Sequence, residues 1–336
     1  MGLGGDLIWT AILKAVHDHD GEPPVACFMP GISDLLAGRL YEGSVSLRDN
    51  AVFRHNPFVA LTEARRKSLG SRGLDTAARL ILKFPPARRC YEDWIFRRAE
   101  RVRAEGGPHF VHIDLQRHSY AARQTRRRTY WKQGRAVDAM AGPFGVERVE
   151  EPPNLHFTQD ERSAVSRLLA EAGLHKAFVA IEPDTNRDWF GELRAWPMDR
   201  WQTVVDRVRE AHPDLPVAQV GLGRSGILEG VVDLTGRTGF RDAALVIGRA
   251  TLFIGTEGGL MHAARAVDAR ALILWGGVTL PEFIGYPDHQ TTICKHVFCA
   301  PCGNAGWCPN GHRCMLDIEV GEVADTALHL LNGEPG

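Results

Sequence analysis

The sequence has no apolar run that approaches the roughly 18 consecutive residues of a membrane-spanning helix. It also has no opening basic segment followed by an apolar core, the pattern of a secretory leader. Repeats and low-complexity tracts are absent as well. These absences exclude the integral membrane, fibrous and repeat classes, and we expect a cytoplasmic globular protein. A length of 336 residues with 44% hydrophobic and 24% charged residues fits two domains.

The net charge of −1 conceals an uneven distribution. Residues 1–150 contain 24 Lys and Arg against 17 Asp and Glu, whereas the remaining residues contain 16 against 24. Solvated helix faces are one interpretation of such basic clusters. A surface for an anionic partner, whether phosphorylated substrate, anionic lipid or nucleic acid, is the other. The charge pattern does not choose between them. The clusters are Arg65–Lys67, then Arg97, Arg98, Arg101 and Arg103, then Arg123, Arg126–Arg128, Lys132 and Arg135.

The second half of the chain alternates apolar strand-like runs with helical patterns, which is typical of a doubly wound parallel sheet. The charged, proline-rich segment Glu150–Asn154 predicts a domain boundary. We therefore expect one domain over residues 1–150, a second over 151–318, and a final helix and tail over 319–336. In the first half the pattern predicts helices near residues 60–69, 73–83 and 91–105.

A glycine-rich turn follows one of the predicted strands. The apolar run Leu252–Ile254 breaks at Gly255, and a helical pattern resumes after Gly259. Such a turn presents free backbone N–H groups and the positive end of a helix dipole, which suit a phosphate. The candidate phosphate contacts are Thr256, Glu257, Gly258 and Gly259. The alternative is that the glycines only form tight turns.

Two aspartates are candidate catalytic groups. Asp6 follows a glycine loop that opens the chain directly, with no strand before it, so we expect the recorded sequence to begin internally. Asp6 is either a helix cap or a functional carboxylate. Asp114 lies near the end of the predicted strand Phe110–Leu115, where polar side chains of open sheets face the ligand crevice. His118 follows it, and either residue could instead be merely solvated.

The cysteine-rich segment 294–315 contains the pattern Cys-x-x-Cys followed by two further cysteines. Four thiolates at this spacing can hold a structural zinc or iron ion in a tetrahedral site. Free thiols or a labile pair are the alternative. We do not expect a catalytic metal, because four thiolates would leave no open position. The candidate metal ligands are Cys299, Cys302, Cys308 and Cys314.

Four segments, in this order, resemble glycosyltransferase family nine, which includes the lipopolysaccharide heptosyltransferases. Gly4–Asp6 is similar to the family's opening Gly-Asp motif, and Ile113–Gln116 to its Asp-Leu-Gln motif. Residues 182–197 resemble the donor loop with its Trp-Pro tail. Residues 255–279 resemble the strongest family signature, although Glu257 stands where the family usually has Asp. The acidic residue that typically binds the donor ribose after the strand ending at Val220 has no counterpart.

The resemblance implies an α/β fold of GT-B architecture, with two facing Rossmann-like doubly wound domains. It implies inverting transfer of a sugar, with ADP-heptose the favoured donor, to an anionic glycoconjugate such as the lipopolysaccharide core. Asp6 would be the catalytic base, with Asp114 as the rival base or a group that positions the acceptor. Besides the four glycine-turn residues, the implied donor contacts are Thr185, Asn186, Arg194 and His262.

The resemblance further implies no metal in catalysis, an acceptor bound by the basic N-terminal half, and no nucleic acid partner. That half would also touch the inner face of the cell membrane peripherally. Two alternatives within the same fold are a nucleotide-sugar epimerase, which needs no acceptor, and a non-catalytic sugar-nucleotide binding protein. A nucleic-acid-binding metal module would require the cysteines and arginines to be neighbours, yet they lie in different predicted domains.

Overall fold

The computed structural model describes residues 2–62, 64–115, 134–184, 191–303 and 307–333. The chain divides into two compact units, with the boundary between Glu151 and Pro152. The first contains Ile8–Glu151, and the second contains the chain from Pro152 onward together with Gly2–Leu7. None of the helices in these described ranges combines the length and the apolar character that a membrane span requires.

The first unit is built on a small parallel sheet. Its three strands lie in the order β2-β1-β3, with Val25 of the central strand aligned to Ala60 and to Phe110. The first helix begins at Leu3, within residues of the second unit, and continues into the first. The elements are α1 (Leu3–Asp20), β1 (Val25–Cys27), α2 (Ile32–Leu36), β2 (Ala60–Leu61), α3 (Leu69–Ile81), α4 (Pro85–Ala104), β3 (Phe110–His112) and α5 (Ala136–Ala141).

The predicted helix over residues 60–69 is wrong. Ala60 and Leu61 instead pair with β1 as its second parallel neighbour. The next two helices begin earlier than the pattern predicts. Ser68 caps α3 by accepting a hydrogen bond from the Ser71 amide at 3.1 Å, and Pro85 opens α4. A proline tolerates this first position because the N–H it lacks would be unpaired there.

The second unit contains six parallel strands in the order β6-β5-β4-β7-β8-β9. The order reverses direction between β4 and β7, and ligands of open α/β sheets bind at the carboxyl ends of strands at such a point. The strands are β4 (Val179–Glu182), β5 (Val217–Gln219), β6 (Val232–Asp233), β7 (Leu252–Thr256), β8 (Ala271–Trp275) and β9 (Thr291–Cys294).

The helices of this unit alternate with its strands, as the sequence predicts. They are α6 (Gln159–Glu171), α7 (Met198–Ala211), α8 (Phe240–Ile247), α9 (Gly259–Ala266), α10 (Pro281–Ile284), α11 (Arg313–Leu316) and α12 (Val320–Leu331). The apolar stripe of α7 and the small residues Ala324 and Ala327 of α12 are buried in one core with Ile254 and Leu272 of the sheet. This packing fixes the sheet whose carboxyl ends form the candidate site.

Candidate active site

The candidate site lies where β7 ends and α9 begins. The first N–H groups of α9 have no acceptor within the helix, and they carry the positive end of its dipole. Of the four residues expected to bind phosphate through their amides, Glu257 is an exception. Its N–H donates to the carbonyl of Leu274 at 3.1 Å and thus belongs to the sheet. Thr256 is fully buried, and its hydroxyl has no hydrogen-bond partner among the described residues. Gly258 and Gly259 lie at the helix start itself.

A bidentate ion pair stands beside this turn. Arg194 donates from Nε to Glu257 Oε2 at 3.1 Å and from Nη2 to Oε1 at 2.7 Å. The Thr279 hydroxyl donates to the same Oε1 at 3.3 Å. Because the Glu257 carboxylate is almost entirely buried, it needs such partners to remain charged. Arg194, expected from the sequence as a diphosphate ligand, is thus held at the turn by an acidic neighbour.

His262 lies one turn into α9 and is buried. Its Nδ1 is 2.7 Å from the Tyr286 hydroxyl, and the two rings meet edge to face at 5.5 Å. Burial, with a further contribution from the Arg194 charge, lowers the pKa of His262 to about 3. The imidazole is therefore neutral at physiological pH, so one ring nitrogen is a donor and the other an acceptor. Sequence reasoning missed Tyr286, because it belongs to no motif.

The beginning of α1 packs directly on the beginning of α9. A Cβ added to Gly4 would lie 2.8 Å from His262 Cδ2 and 3.3 Å from Gly259 Cα, so the close approach requires glycine. Asp6 lies in the first turn of α1, and its N–H donates to the Gly2 carbonyl at 3.2 Å. It is therefore within the helix rather than at its N-cap. The N-termini of two helices therefore meet here, both within the second unit.

Asp114 lies in the first unit, just after β3. Its Oδ1 accepts a hydrogen bond from the Met29 amide at 2.7 Å, which ties it to the end of β1. Burial raises the pKa of Asp114 to about 6 despite that hydrogen bond. Three further residues with sequence-based roles, Thr185, Asn186 and His118, lie outside the described residues.

Two carboxyl groups at the end of β4 were not expected as site residues. Glu182 is buried, and its Oε2 has no hydrogen-bond partner within the described ranges. Burial, and then the nearby charge of Asp184, raises the pKa of Glu182 well above its usual value. Asp184 accepts hydrogen bonds from the amide and the hydroxyl of Ser225, both at 2.8 Å. Asp184, which follows β4, thus holds the loop after β5 in place through Ser225.

The cysteine-rich segment supports the second glycine turn. The Cys302 amide donates to the Gly277 carbonyl at 2.8 Å, and a Cβ on Gly277 would lie 3.2 Å from the Cys314 sulfur. Burial raises the pKa of the Cys314 thiol, and the neighbouring thiols of Cys302, Cys308 and Cys299 raise it further. None of the four forms a disulfide bond within the described residues. Within the described ranges no three of them come close enough to hold one ion, so the metal assignment stays a prediction.

The described residues do contain one set of acidic groups with metal-like spacing, in the first unit, formed by Asp34, Glu42 and Asp75. The Lys67 ammonium lies 2.6, 2.5 and 2.7 Å from their carboxylate oxygens. Lys67 is therefore buried in an ion cluster. It does not belong to the basic surface that the Arg65–Lys67 run had suggested. A protein cation already satisfies these carboxylates.

Comparisons with known proteins show the family and the fold. The family model described as glycosyltransferase family 9 (heptosyltransferase) matches residues 117–308. A solved glycosyl transferase family 9 structure from Veillonella parvula DSM 2008 aligns with a TM-score of 0.64 at 15% identity, over 99% of this chain and 96% of that chain. The E. coli ADP-heptose lps heptosyltransferase II aligns at 0.57 and 14% identity, over 98% and 96%. No curated protein sequence matches the chain. The structural matches confirm the predicted α/β fold of GT-B type.

Proposed function

Because the chain belongs to glycosyltransferase family 9, we propose that it transfers a sugar from a nucleotide-diphospho donor to a hydroxyl of an anionic glycoconjugate, with inversion. ADP-heptose is the favoured donor, since the similar E. coli protein is named for it. The lipopolysaccharide core is the favoured acceptor class. The proposal includes no nucleic acid partner and no catalytic metal ion.

The observation that carries the proposal is the meeting of α1 and α9 at Gly4 and Gly259, at the switch point of the second sheet. The starts of both helices are in contact, and Arg194 is held next to the start of α9 by Glu257. A diphosphate is the kind of ligand whose charge such a place stabilises. Because the charge on the leaving group grows during transfer, fixed donors here would lower the barrier, by a few kcal/mol each.

The proposed reaction is a single displacement. The acceptor oxygen forms a bond to the anomeric carbon while the bond from that carbon to the phosphate oxygen breaks. The electron pair leaves with the nucleoside diphosphate, and the acceptor proton passes to the Asp6 carboxylate. Asp114 is the second candidate base, because a pKa of about 6 gives it more basicity than an exposed aspartate has. Thr185 and Asn186 remain proposed donor contacts.

The first unit is proposed to bind the acceptor and to contact an anionic membrane surface. Its support is the basic excess of residues 1–150, reduced by the burial of Lys67 among carboxylates. Exposed arginines of the described ranges, among them Arg65, Arg66 and Arg101, are proposed to meet a phosphorylated glycolipid. Location at the inner face of the cell membrane follows from this proposal.

A thermal-shift panel of ADP-, UDP-, GDP- and CMP-linked sugars tests the donor. A ligand at about 100 times its dissociation constant stabilises the folded state by about 2.7 kcal/mol. Stabilisation by ADP and ADP-heptose alone would support ADP-heptose as the donor. Selective stabilisation by a UDP- or GDP-linked sugar would mean that this sugar nucleotide is the donor instead. No response to any nucleotide would contradict the proposal. Arg194→Gln should weaken the response, because it leaves the buried Glu257 carboxylate without its cation beside the proposed diphosphate.

Asp6→Asn tests the base separately. The substitution keeps the size of the side chain and removes its ability to accept the acceptor proton. We expect transfer to fall by at least about a hundredfold while stabilisation by ADP is retained. Loss of both would show that Asp6 is needed for the helix start instead.

A further inference from the structure

Helix α3 exposes its apolar side. Leu69, Leu80, Ile81 and the following Phe84 are 85%, 62%, 67% and 64% exposed, and Leu74 is 41% exposed. At 3.6 residues per turn the four of these side chains that belong to α3 fall within an arc of about 140°, and Phe84 follows just before α4. We call the five together the apolar face of α3. A helix of a globular protein normally turns such a stripe toward the core, but no described part of the chain covers this face of α3.

The opposite side of α3 is held by polar groups. Asp75, its one fully buried charged residue, accepts hydrogen bonds from the Ser33 amide at 2.9 Å and from the Ser33 hydroxyl at 2.7 Å. Lys67 donates to the same carboxylate at 2.7 Å. The helix is thus anchored through a carboxylate, and its orientation with the apolar face outward is fixed by hydrogen bonds.

Basic side chains border the apolar face. On the helical wheel Arg72 and Arg79 lie adjacent to Leu69 and Leu80, on the side away from Leu74. They line a cavity of about 460 Å³ together with Arg65 and Arg66. Arg79 also lies 4.0 Å from a Glu42 oxygen, but its side chain remains largely exposed. Arginines around a cavity of this size suit a phosphate group, which they can bind with paired N–H donors.

We propose that α3 and these four arginines dock on an anionic lipid bilayer. The apolar face enters the boundary between headgroups and acyl chains, and the arginines take lipid phosphates at and around the cavity. Leucine and phenylalanine on one side with arginine on the other is the composition of helices that lie in a membrane interface. A protein partner would cover the apolar face equally well, but it would not account for the arginine-lined cavity beside it. This surface is where the membrane contact proposed above would form, so it rests on the proposed function, and it includes no residue of the transfer site.

Vesicle flotation of the full chain tests the surface. We expect binding to phosphatidylcholine vesicles that contain phosphatidylglycerol, little binding to pure phosphatidylcholine, and weakening as salt rises. The double variant Leu80→Ser/Phe84→Ser should lower the partition coefficient at least about tenfold, which corresponds to about 1.4 kcal/mol. Both side chains are exposed, so folding should be unaffected. Phe298→Ser, which removes an 87% exposed aromatic from the second unit, is the matched control and should bind like the wild type.

The arginines are tested by Arg72→Gln/Arg79→Gln, which should weaken binding to the anionic vesicles and remove its salt dependence in part. Failure of the wild type to bind anionic vesicles would overturn the proposal. A dimer in solution that dissociates in the Leu80→Ser/Phe84→Ser variant would also overturn it, by assigning the face to a second copy of the chain. The vesicles contain no acceptor glycan, and stabilisation by ADP is measured in parallel. The surface and the transfer proposal therefore succeed or fail independently.

Discussion

Asp114 should make the stability of the protein depend on pH in a defined direction. Burial raises its pKa from 3.8 to about 6, so the folded state binds a proton that the unfolded state releases. The stability that protonated Asp114 contributes is fully present below pH 3.8 and is lost as the pH rises through about 6. Asp114→Asn keeps an oxygen that can accept from the Met29 amide but cannot ionise. It should remove this dependence.

The magnitude follows from the two pKa values. A difference of about 2 pKa units corresponds to about 3 kcal/mol over the whole range, of which about 1.4 kcal/mol falls between pH 5 and pH 8. Denaturant unfolding of wild type and Asp114→Asn at both pH values should therefore show the variant gaining that amount relative to wild type as the pH rises. Asp49→Asn, which removes an exposed carboxyl from the same unit, is the reference.

A constant difference between wild type and Asp114→Asn from pH 5 to pH 8 would refute the reasoning, because it would mean that the carboxyl is solvated when folded. The same pKa separates the two candidate bases in the transfer assay. An acid limb near pH 6 in kcat/KM that disappears in Asp114→Asn would assign the base to Asp114. A profile without that limb would leave Asp6 as the base.

Three further outcomes are expected. Tyr286→Phe removes the hydrogen bond to His262, so the KM for the donor should rise by about two- to tenfold. Nitrogen NMR of labelled histidine should show a changed tautomer population of His262. An unchanged spectrum would contradict the hydrogen bond between the two side chains. Lys67→Met leaves three buried carboxylates without their cation and should cost about 3–5 kcal/mol in unfolding free energy, whereas the exposed Lys83→Met should cost little; equal stabilities would refute the ion cluster. If the four cysteines hold a metal, elemental analysis of the purified protein should find zinc or iron, and the Cys314→Ser variant should lose it. A wild-type protein without either metal would contradict the predicted metal site.

Local sequence patterns predicted the centre of the second sheet well, because every residue of β4, β5, β7 and β8 is buried and these strands read as apolar runs. The whole run Ala271–Trp275, for example, forms β8, and Thr158 caps α6 through a capping box with Glu161. The two-residue strands β2 and β6 are too short to leave such a run, and their pairing with β1 and β5 depends on distant residues.

The candidate site could be located from its motif but not assembled from it. The motif marked Gly259 and His262, yet nothing in it indicated that Gly4 would contact both or that Tyr286 would hydrogen-bond the imidazole. These contacts join residues far apart in the chain. The same limit explains Lys67, which reads as one member of a basic run until Asp34 and Asp75 are brought to it by the fold.

The charge of each half of the chain is a poor guide to the ligand proposed for it. Residues 151–336 contain 24 acidic and 16 basic side chains, yet the diphosphate is proposed to bind in the unit that they form. Exposed charges farther than about 8 Å from a ligand are largely screened at physiological ionic strength. What acts at the turn is local: the beginnings of α1 and α9, and an arginine whose own charge is balanced by Glu257. Because that pair is neutral as a whole, the attraction for an anion must come chiefly from backbone dipoles held close by Gly4 and Gly259. A side chain at position 4 would press on His262 and on the start of α9, whereas one at position 259 would make only ordinary contacts. We therefore expect Gly4→Ala to weaken binding of the proposed diphosphate without the loss of any charged residue.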